Sequence, residues 1–400
     1  MDKKKEPISL YIHIPFCIRK CQYCDFLSAP ATVPEQKSYM EALCREILQE
    51  APNYTEYEVV SVFVGGGTPS VLAPEEIRNL FRVLYDSYSF RKECEITIEV
   101  NPGTISAEKL SCYLACGINR LSIGLQSAQN NELRALGRIH GYEDFQKTYE
   151  MAVKSGFSNI NVDLMSAIPE QSLSSYRDTL QRVLELSPPP SHISAYSLMI
   201  EEGTPFYEKT PELPDEDTER EMYKITGEIL ERAGYYRYEI SNYAKEGREC
   251  FHNKVYWSRG NYIGFGIGSA SLFQEHRWKN QTDINSYVNY FETKNSAEPD
   301  RQGKQENEGM RCEMQELSVE EQMEEFMFLG LRMMKGVSEQ EFYQHFHRTF
   351  AQTFPGIVEK YEKLGLLTRE KIGNTDFSVV KLTSHGIDVS NVVMADFLLT

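Results

Sequence analysis

The sequence lacks any long apolar segment. It contains no run of eighteen apolar residues, so no stretch is long enough to cross a bilayer as a helix. An apolar, strand-like run already begins at Ile8, so the N-terminus offers neither the apolar core of a secretory signal nor an Arg-rich targeting helix. We therefore expect a cytoplasmic protein with no transmembrane segment.

Positive charge is also scarce. The chain has 42 Lys and Arg against 59 Asp and Glu, which gives a formal net charge of −17. Apart from Lys3–Lys5 there is no basic block. Because a polyanion is repelled by such a surface, we expect no nucleic-acid partner.

A disulfide framework is missing as well. The nine cysteines are odd in number and clustered, which argues against a secreted, disulfide-bonded protein. Reduced thiols in a cytoplasm remain free to bind metal. With 41% hydrophobic and 25% charged residues over 400 positions, the chain is otherwise an ordinary globular protein of two or three domains.

What the sequence does contain is a repeated alternation of strands and helices. Six short apolar runs, rich in β-branched and aromatic residues, read as buried strands at 8–14, 59–64, 95–100, 120–125, 159–165 and 192–198. Helical apolar stripes separate these runs. The pattern predicts an α/β protein with parallel strands, either a partial (β/α)6 barrel or an open doubly wound sheet.

The rest of the chain divides by composition. We predict a barrel over 1–235 and an extension of it over 236–295. Residues 296–316 are polar and without periodicity, so they are interpreted as a linker or mobile loop. Residues 317–400 predict a small, mainly helical domain with a short β-wing. A winged-helix shape often binds DNA, but the acidic charge favours a structural or lid role.

The most informative motif is a group of three cysteines in the loop after the first strand. Cys17, Cys21 and Cys24 have the spacing CxxxCxxC, with no fourth cysteine nearby. A [4Fe–4S] cluster takes four ligands, so three thiolates would leave one iron open to an exchangeable molecule. The alternative is a zinc site, which needs four ligands and would have to recruit a distant thiol such as Cys94 or Cys250.

This motif, with Tyr23 directly before its last cysteine, resembles the signature of the radical S-adenosylmethionine (SAM) superfamily. The segment GGGTPS, with Gly66, Gly67 and Thr68, follows the second strand and is similar to the glycine motif of that superfamily. The resemblance implies a [4Fe–4S] cluster on the three cysteines and SAM beside it. Glycines suit such a site because they let the backbone come close to a ligand.

Further polar residues match SAM-contacting positions of the coproporphyrinogen-oxidase-like branch of this superfamily: Tyr11, Glu99, Gln126, Arg138 and Asp163. Taken singly, Glu99 is also explained as a turn cap, Arg138 as a solvated surface charge and Asp163 as half of an ion pair. Together they fall at or near the carboxyl ends of successive strands, which face one rim in a barrel. This convergence favours the barrel over the open sheet. The resemblance implies that the reduced cluster cleaves bound SAM to a 5′-deoxyadenosyl radical, while the protein orients both groups.

Within this branch the sequence resembles the oxygen-independent coproporphyrinogen III oxidases and the HemW-type heme chaperones. The decarboxylases carry a further cysteine two residues after the cluster motif, where this chain has Phe26, and a longer segment before Tyr11. FHNKVYW (251–257) resembles the HNxxYW segment of the chaperones, whose histidine is a proposed heme ligand. That implies heme contact by His252; otherwise the histidine is a buried hydrogen-bonding residue.

The resemblance therefore implies a heme chaperone that binds heme and transfers it to an acceptor protein. Whether that acceptor lies at a membrane is left open by the sequence. The alternative is oxidative decarboxylation of coproporphyrinogen III, or radical chemistry on another tetrapyrrole. The second axial heme ligand and the oligomeric state are also open.

Overall fold

A computed structural model describes residues 5–293, 308–373, 375 and 377–399. Its central feature is a run of six neighbouring strands, each parallel to the next. They are β1 (Glu6–Ile14), β2 (Tyr57–Gly66), β3 (Phe90–Val100), β4 (Arg120–Gln126), β5 (Ile160–Ser166) and β6 (His192–Ser197). The predicted α/β fold with six parallel strands is confirmed, and each predicted run lies on one of these strands.

Helices connect the strands and cover one face of the sheet. They are α1 (Val33–Glu50), α2 (Pro74–Ser87), α3 (Ala107–Ala115), α4 (Asn130–Ala135), α5 (Tyr142–Ser155), α6 (Leu173–Leu184), α7 (Pro205–Glu208) and α8 (Glu216–Arg232), with 3-10 turns at Ala51–Tyr54 and Pro69–Val71. Thr32 and Glu35 form a capping box that starts α1, and Gly156 ends α5 in the left-handed conformation. None of the helices in the described residues is both long and apolar enough to span a membrane.

Residues after α8 extend the sheet at both edges. The added elements are β7 (Tyr236–Glu239), β8 (Asn242–Ala244), α9 (Phe251–Trp257), β9 (Tyr262–Phe265), β10 (Ala270–Phe273), β11 (His276–Asn280) and α10 (Ile284–Thr293). Strands β8 and β7 continue the sheet beyond β6. On the other side β9 pairs with β1 in parallel, followed by β10 and β11.

The predicted linker is wrong at its C-terminal end. Residues 294–307 lie outside the described residues, but a 3-10 turn follows at Glu308–Met310 and then a strand, β12 (Arg311–Glu316). This strand pairs antiparallel with β11 and forms the edge of the sheet. Its side chains are mostly exposed, so it carries no apolar alternation from which the sequence could reveal it.

The C-terminal part has its own core. It contains α11 (Val319–Leu331), β13 (Val337–Ser338), α12 (Glu339–Phe346), α13 (Phe350–Thr353), α14 (Ile357–Lys363), β14 (Leu367–Lys371), β15 (Ser378–Leu382), α15 (Ser384–Asp388) and α16 (Ser390–Ala395). The three strands form a small antiparallel sheet, as the predicted wing requires. Helix α11 contacts the barrel extension through Glu325, which pairs with Arg259 and Arg277 at 3.0 and 2.7 Å.

Candidate cofactor site

The cysteine loop follows β1 and is held in place by backbone hydrogen bonds. The amide of Cys17 donates to the Ala29 carbonyl at 3.1 Å, and the Gln22 amide donates to the Leu136 carbonyl at the same distance. The Gln22 carbonyl accepts from the Phe206 amide at 3.1 Å. The loop is therefore fixed from several sides, while its three thiols stay partly exposed.

The three thiols share one electrostatic environment. Burial raises the pKa of Cys24 to about 11, and the charges of Cys21 and Cys17 add to the rise. Among the described residues, no three His, Cys, Asp or Glu side chains converge around a single point as they would around one metal ion. Three neighbouring thiolates suit a [4Fe–4S] cluster that keeps one iron open, whereas a structural zinc ion needs four ligands.

The alternative zinc ligands lie elsewhere. The sulfur of Cys250 is 3.7 Å from the Glu95 carboxylate, and Cys94 is the residue before Glu95 on β3. The rim of the barrel begins after Val100, about 20 Å farther along at roughly 3.3 Å per residue. Neither thiol therefore completes a site at the cysteine loop.

The glycine motif at the end of β2 packs directly against the cysteine loop. A Cβ atom on Gly67 would lie 2.7 Å from the Phe16 carbonyl oxygen, and one on Gly66 would lie 2.5 Å from the His13 ring. Gly66 also has a φ of 112°. The amide of Thr68 donates to the Phe16 carbonyl at 2.7 Å, and its hydroxyl lies 3.3 Å from the Cys17 sulfur. These glycines are thus required for the approach of two loops; contact with SAM stays a prediction.

Two carboxylates, Glu99 on β3 and Asp163 on β5, lie inside the barrel next to this motif, and both residues are partly exposed. Burial, followed by the charge of Asp163, raises the pKa of Glu99 to about 8, although Glu99 accepts a hydrogen bond from the Gly66 amide at 3.1 Å. Burial also raises the pKa of Asp163, which accepts from Asn161 at 2.8 Å and Ser122 at 3.2 Å. A cationic ligand would relieve this unfavourable environment.

Arg138 brings a positive charge to the same rim. Its guanidinium donates to the Gly124 carbonyl at 2.8 Å and lies 3.7 Å from the sulfur of Cys21. Gln126 ends β4 with a φ of 75° and accepts a hydrogen bond from the Tyr196 hydroxyl at 3.2 Å. Both side chains therefore face the interior.

Tyr11 is held in β1 by a neighbouring histidine. His13 Nε2 donates to the Leu27 carbonyl at 2.8 Å, so its Nδ1 is free to accept from the Tyr11 hydroxyl at 3.2 Å. Burial and the charge of Glu99 raise the pKa of Tyr11. With this contact, the structure brings the predicted cluster and SAM residues to one rim.

His252 lies apart from this rim, in the interior behind it. Only 1% of its surface is exposed, and burial followed by the charge of Arg120 lowers its pKa to about 3. Since the Ser61 hydroxyl donates to Ser9, Nδ1 of His252 donates to Ser61 at 2.9 Å, and Nε2 accepts from Tyr256 at 2.8 Å. Both ring nitrogens are occupied in this arrangement.

Helix α9, which carries His252, is fixed by polar residues that the sequence interpretation missed. The Glu95 carboxylate accepts from the amides of Phe251 and His252 at 3.1 and 3.0 Å, and Arg120 lies beside it, 2% exposed. A signal was present: polar residues recur at every second position on β3 (Glu95, Thr97, Glu99 and then Asn101). In a strand this spacing places them on one face.

An aromatic cavity adjoins α9 at its C-terminal end. Its volume is about 330 Å³, and its walls include Tyr11, Tyr256, Trp257, Tyr262, Arg277 and Leu329. It therefore lies between the barrel extension and helix α11. The Trp257 ring also stacks under the guanidinium of Arg332, whose carbon is 4.3 Å from the ring centre.

Comparison with known proteins gives consistent results. Residues 11–183 match the radical SAM superfamily, and residues 317–373 match the HemN C-terminal domain. The Bacillus subtilis protein named heme chaperone HemW is 34% identical over 98% of this chain and 99% of its own length. The HemW of Lactococcus lactis is 32% identical over 99% and 98%, and that of Escherichia coli is 40% identical over 66% and 70%.

A solved structure supports the fold. Coproporphyrinogen III oxidase (HemN) from Escherichia coli, a radical SAM enzyme, superposes with a TM-score of 0.82 over 99% of this chain and 91% of its own. At 23% sequence identity this likeness shows a shared fold and no more. The relatives that match over nearly their whole length decide the family: this chain belongs to the HemW family of the radical SAM superfamily.

Proposed function

We propose that this protein binds heme and transfers it to an acceptor protein, on a scaffold that also holds a [4Fe–4S] cluster and SAM. The observation that carries the proposal is the similarity to a heme chaperone over 98% of this chain and 99% of the relative. Phe26 is consistent with it, because the decarboxylases that the sequence also resembles have a cysteine at that position.

In this proposal Cys17, Cys21 and Cys24 bind the cluster, and the barrel rim binds SAM. Bound together, the two groups supply one-electron chemistry. The carboxylates of Glu99 and Asp163 complement the positive charge of SAM. The remaining proposed SAM contacts are Tyr11, Gly66, Gly67, Thr68, Gln126 and Arg138.

Heme contact is proposed for helix α9. Tyr256 and Trp257 line an aromatic cavity of about 330 Å³, at the low end of small-molecule pockets (roughly 300–1,000 Å³), so it suits one edge of a macrocycle. Arg277 in the same wall is paired with Glu325 at 2.7 Å, and it would bind a propionate by exchanging that carboxylate for the one of heme. For His252 to coordinate the heme iron, α9 must move and its two hydrogen bonds must break.

One anaerobic incubation separates the chaperone from the decarboxylase. The protein is mixed with SAM and reductant, and either heme or coproporphyrinogen III is added. A chaperone retains heme, seen as a Soret band, and releases it to an apo-cytochrome without consuming SAM. Formation of protoporphyrinogen with 5′-deoxyadenosine and methionine would instead establish the decarboxylase and reject the proposal.

The role of His252 is tested by His252→Gln. Glutamine keeps a donor and an acceptor for Ser61 and Tyr256 but is not a heme ligand. We expect the variant to keep its iron and to retain less heme than the parent. Equal heme retention would show that His252 is only a structural residue of α9.

A further inference from the structure

Asn101 lies directly after β3, two residues beyond Glu99, and its side chain joins two parts of the rim. Its Nδ2 atom is 2.7 Å from Thr68 Oγ1, and its Oδ1 atom is 2.7 Å from Arg138 Nη2. Its backbone is also fixed, because its amide donates to the hydroxyl of Ser70 at 3.2 Å. The amide therefore has one defined position between Thr68 and Arg138.

The direction of each hydrogen bond follows from the groups involved. Arginine has no acceptor, so the oxygen of the Asn101 amide faces Arg138 and its nitrogen donates to Thr68. The Thr68 hydroxyl then keeps its own proton for the Cys17 sulfur, which is 3.3 Å away. A second nitrogen of Arg138 donates to the Cys21 sulfur at 3.7 Å. The side-chain amide of Asn101 thus orients two hydrogen-bond donors. Thr68 donates to the sulfur of Cys17, and Arg138 donates to the sulfur of Cys21.

Space around this group is limited. A Cβ atom on Gly124 would lie 3.1 Å from Asn101 Oδ1 and 3.3 Å from Arg138 Nη2. Arg138 also donates to the Gly124 carbonyl. The guanidinium is therefore held on one side by the strand backbone and on the other by Asn101, and loss of the amide would free it to move away from Cys21.

We propose that Asn101 is a positioning residue that raises the reduction potential of the cluster by holding Thr68 and Arg138 as hydrogen-bond donors to the sulfurs of Cys17 and Cys21. Hydrogen bonds to the sulfurs and nearby net charge are among the factors that set the potential of an iron–sulfur cluster. Donors and a positive charge stabilise the reduced form, which carries the additional electron. This inference rests on the proposed cluster and is independent of heme.

The test is a redox titration of the reconstituted protein without SAM, followed by EPR of the reduced cluster. We expect the Asn101→Ala variant to bind as much iron as the parent. At a fixed ambient potential the ratio of reduced to oxidised cluster should fall about tenfold, which corresponds to about 59 mV for one electron. Asn101→Asp keeps the acceptor for Arg138 but loses the donor to Thr68 and adds negative charge, so its ratio should also fall.

Asn119 provides a matched control. Its side chain accepts from the Ile96 amide at 2.9 Å and donates to the Cys94 carbonyl at 2.8 Å, so Asn119→Ala also removes two hydrogen bonds. In Asn119→Ala we expect the ratio of reduced to oxidised cluster to stay within about threefold of that in the parent, since Ile96 and Cys94 do not contact the cluster cysteines. An equal shift in this control would indicate general loosening of the barrel and would overturn the inference.

Thr68→Val gives an independent test. It removes the donor to Cys17 while leaving Asn101 in place, so the ratio of reduced to oxidised cluster should fall here too. If Asn101→Ala does not take up iron, the redox titrations of Asn101→Asp and Thr68→Val test the inference instead. Normal iron content with an unchanged potential in these variants overturns the inference alone. A parent protein that takes up no iron contradicts the proposed cluster, and the inference with it.

Discussion

The barrel rim and helix α9 carry the two halves of the proposed function, and they differ in how well their polar groups are satisfied. At the rim, burial raises the pKa of both Glu99 and Asp163, and the cluster thiols remain partly exposed. In α9, both ring nitrogens of His252 have hydrogen-bond partners and the side chain is buried. The rim therefore favours a charged ligand, whereas the His252 side chain already has its hydrogen-bond partners inside the protein.

This difference predicts different costs of binding. A cationic ligand at the rim relieves the repulsion between Glu99 and Asp163 without requiring the fold to change. A heme that coordinates His252 must first release α9 from Glu95 and from its partners in β2, which leaves buried polar groups to be satisfied again.

The largest effect is expected at the cluster cysteines. Serine in place of Cys17, Cys21 or Cys24 removes a thiolate ligand, so each variant should lose nearly all iron after anaerobic reconstitution. Cys312→Ser is the control, because Cys312 is also a partly exposed free thiol, and it should keep the iron content of the parent. Full iron content in a cluster variant would show that another ligand set holds the metal.

The second prediction concerns SAM affinity and pH. With a pKa of about 8, Glu99 is mostly protonated at pH 7, and a bound cation favours its ionised form. SAM binding should therefore release a proton, and affinity should rise by at most about tenfold per pH unit towards pH 8. Glu99→Gln should bind SAM weakly at all pH values, as measured by calorimetry, whereas Glu93→Gln, exposed on the same strand, should behave like the parent.

The raised pKa of Glu99 has the opposite effect on folding: stability falls as the pH rises, whereas SAM affinity increases. Because the pKa of Glu99 is raised from 4.5 to about 8 in the folded protein, the folded state binds more protons than the unfolded state between these values. Without SAM, this group should make the free energy of unfolding fall as the pH rises through that range. A pH dependence that is identical in Glu99→Gln would contradict the assignment.

Much of the rim could be predicted from the sequence because its residues lie at the ends of strands that the apolar pattern reveals. Cys17 follows such a run, Glu99 and Asp163 lie near the ends of two others, and the fold then brings them together. The environment of His252 could not be predicted in this way. Its partners come from β2, from β3 and from the next turn of its own helix, and nothing in FHNKVYW states that the histidine side chain is buried.

For Asn101 and Arg120, the sequence predicts the position of the residue but not its partners. Asn101 continues the polar alternation of β3 just beyond its end, and Arg120 begins the polar alternation of β4; this pattern predicts a polar barrel interior. Their partners are distant in sequence, such as Arg138 for Asn101 and Cys250 for Arg120, and only the three-dimensional structure pairs them.

The third prediction addresses the stability of α9. His252→Ala removes the partner of the Tyr256 and Ser61 hydroxyls, and each buried polar group left unsatisfied costs about 1–3 kcal/mol. For the two groups together we expect the free energy of unfolding to fall by about 2–6 kcal/mol in urea denaturation, with unchanged iron content. A variant as stable as the parent would show that α9 is held more loosely than the structure indicates.

The smallest effect is expected at the contact between α9 and the C-terminal domain. Arg332→Lys keeps the positive charge near Glu239 but loses the planar group that stacks on Trp257. The expected loss is about 0.5–1 kcal/mol in the free energy of unfolding. A much larger loss would mean that this stacking, rather than the pairs of Glu325 with Arg259 and Arg277, holds the two regions together.

The proposed function requires that three thiolates hold an iron–sulfur cluster with one corner free for SAM. EPR of the reconstituted and reduced protein, recorded before and after addition of SAM, tests it most directly. We predict a signal from a reduced [4Fe–4S] cluster that changes shape when SAM binds. A protein that binds zinc in place of iron, or a cluster signal that SAM leaves unchanged, would contradict the account.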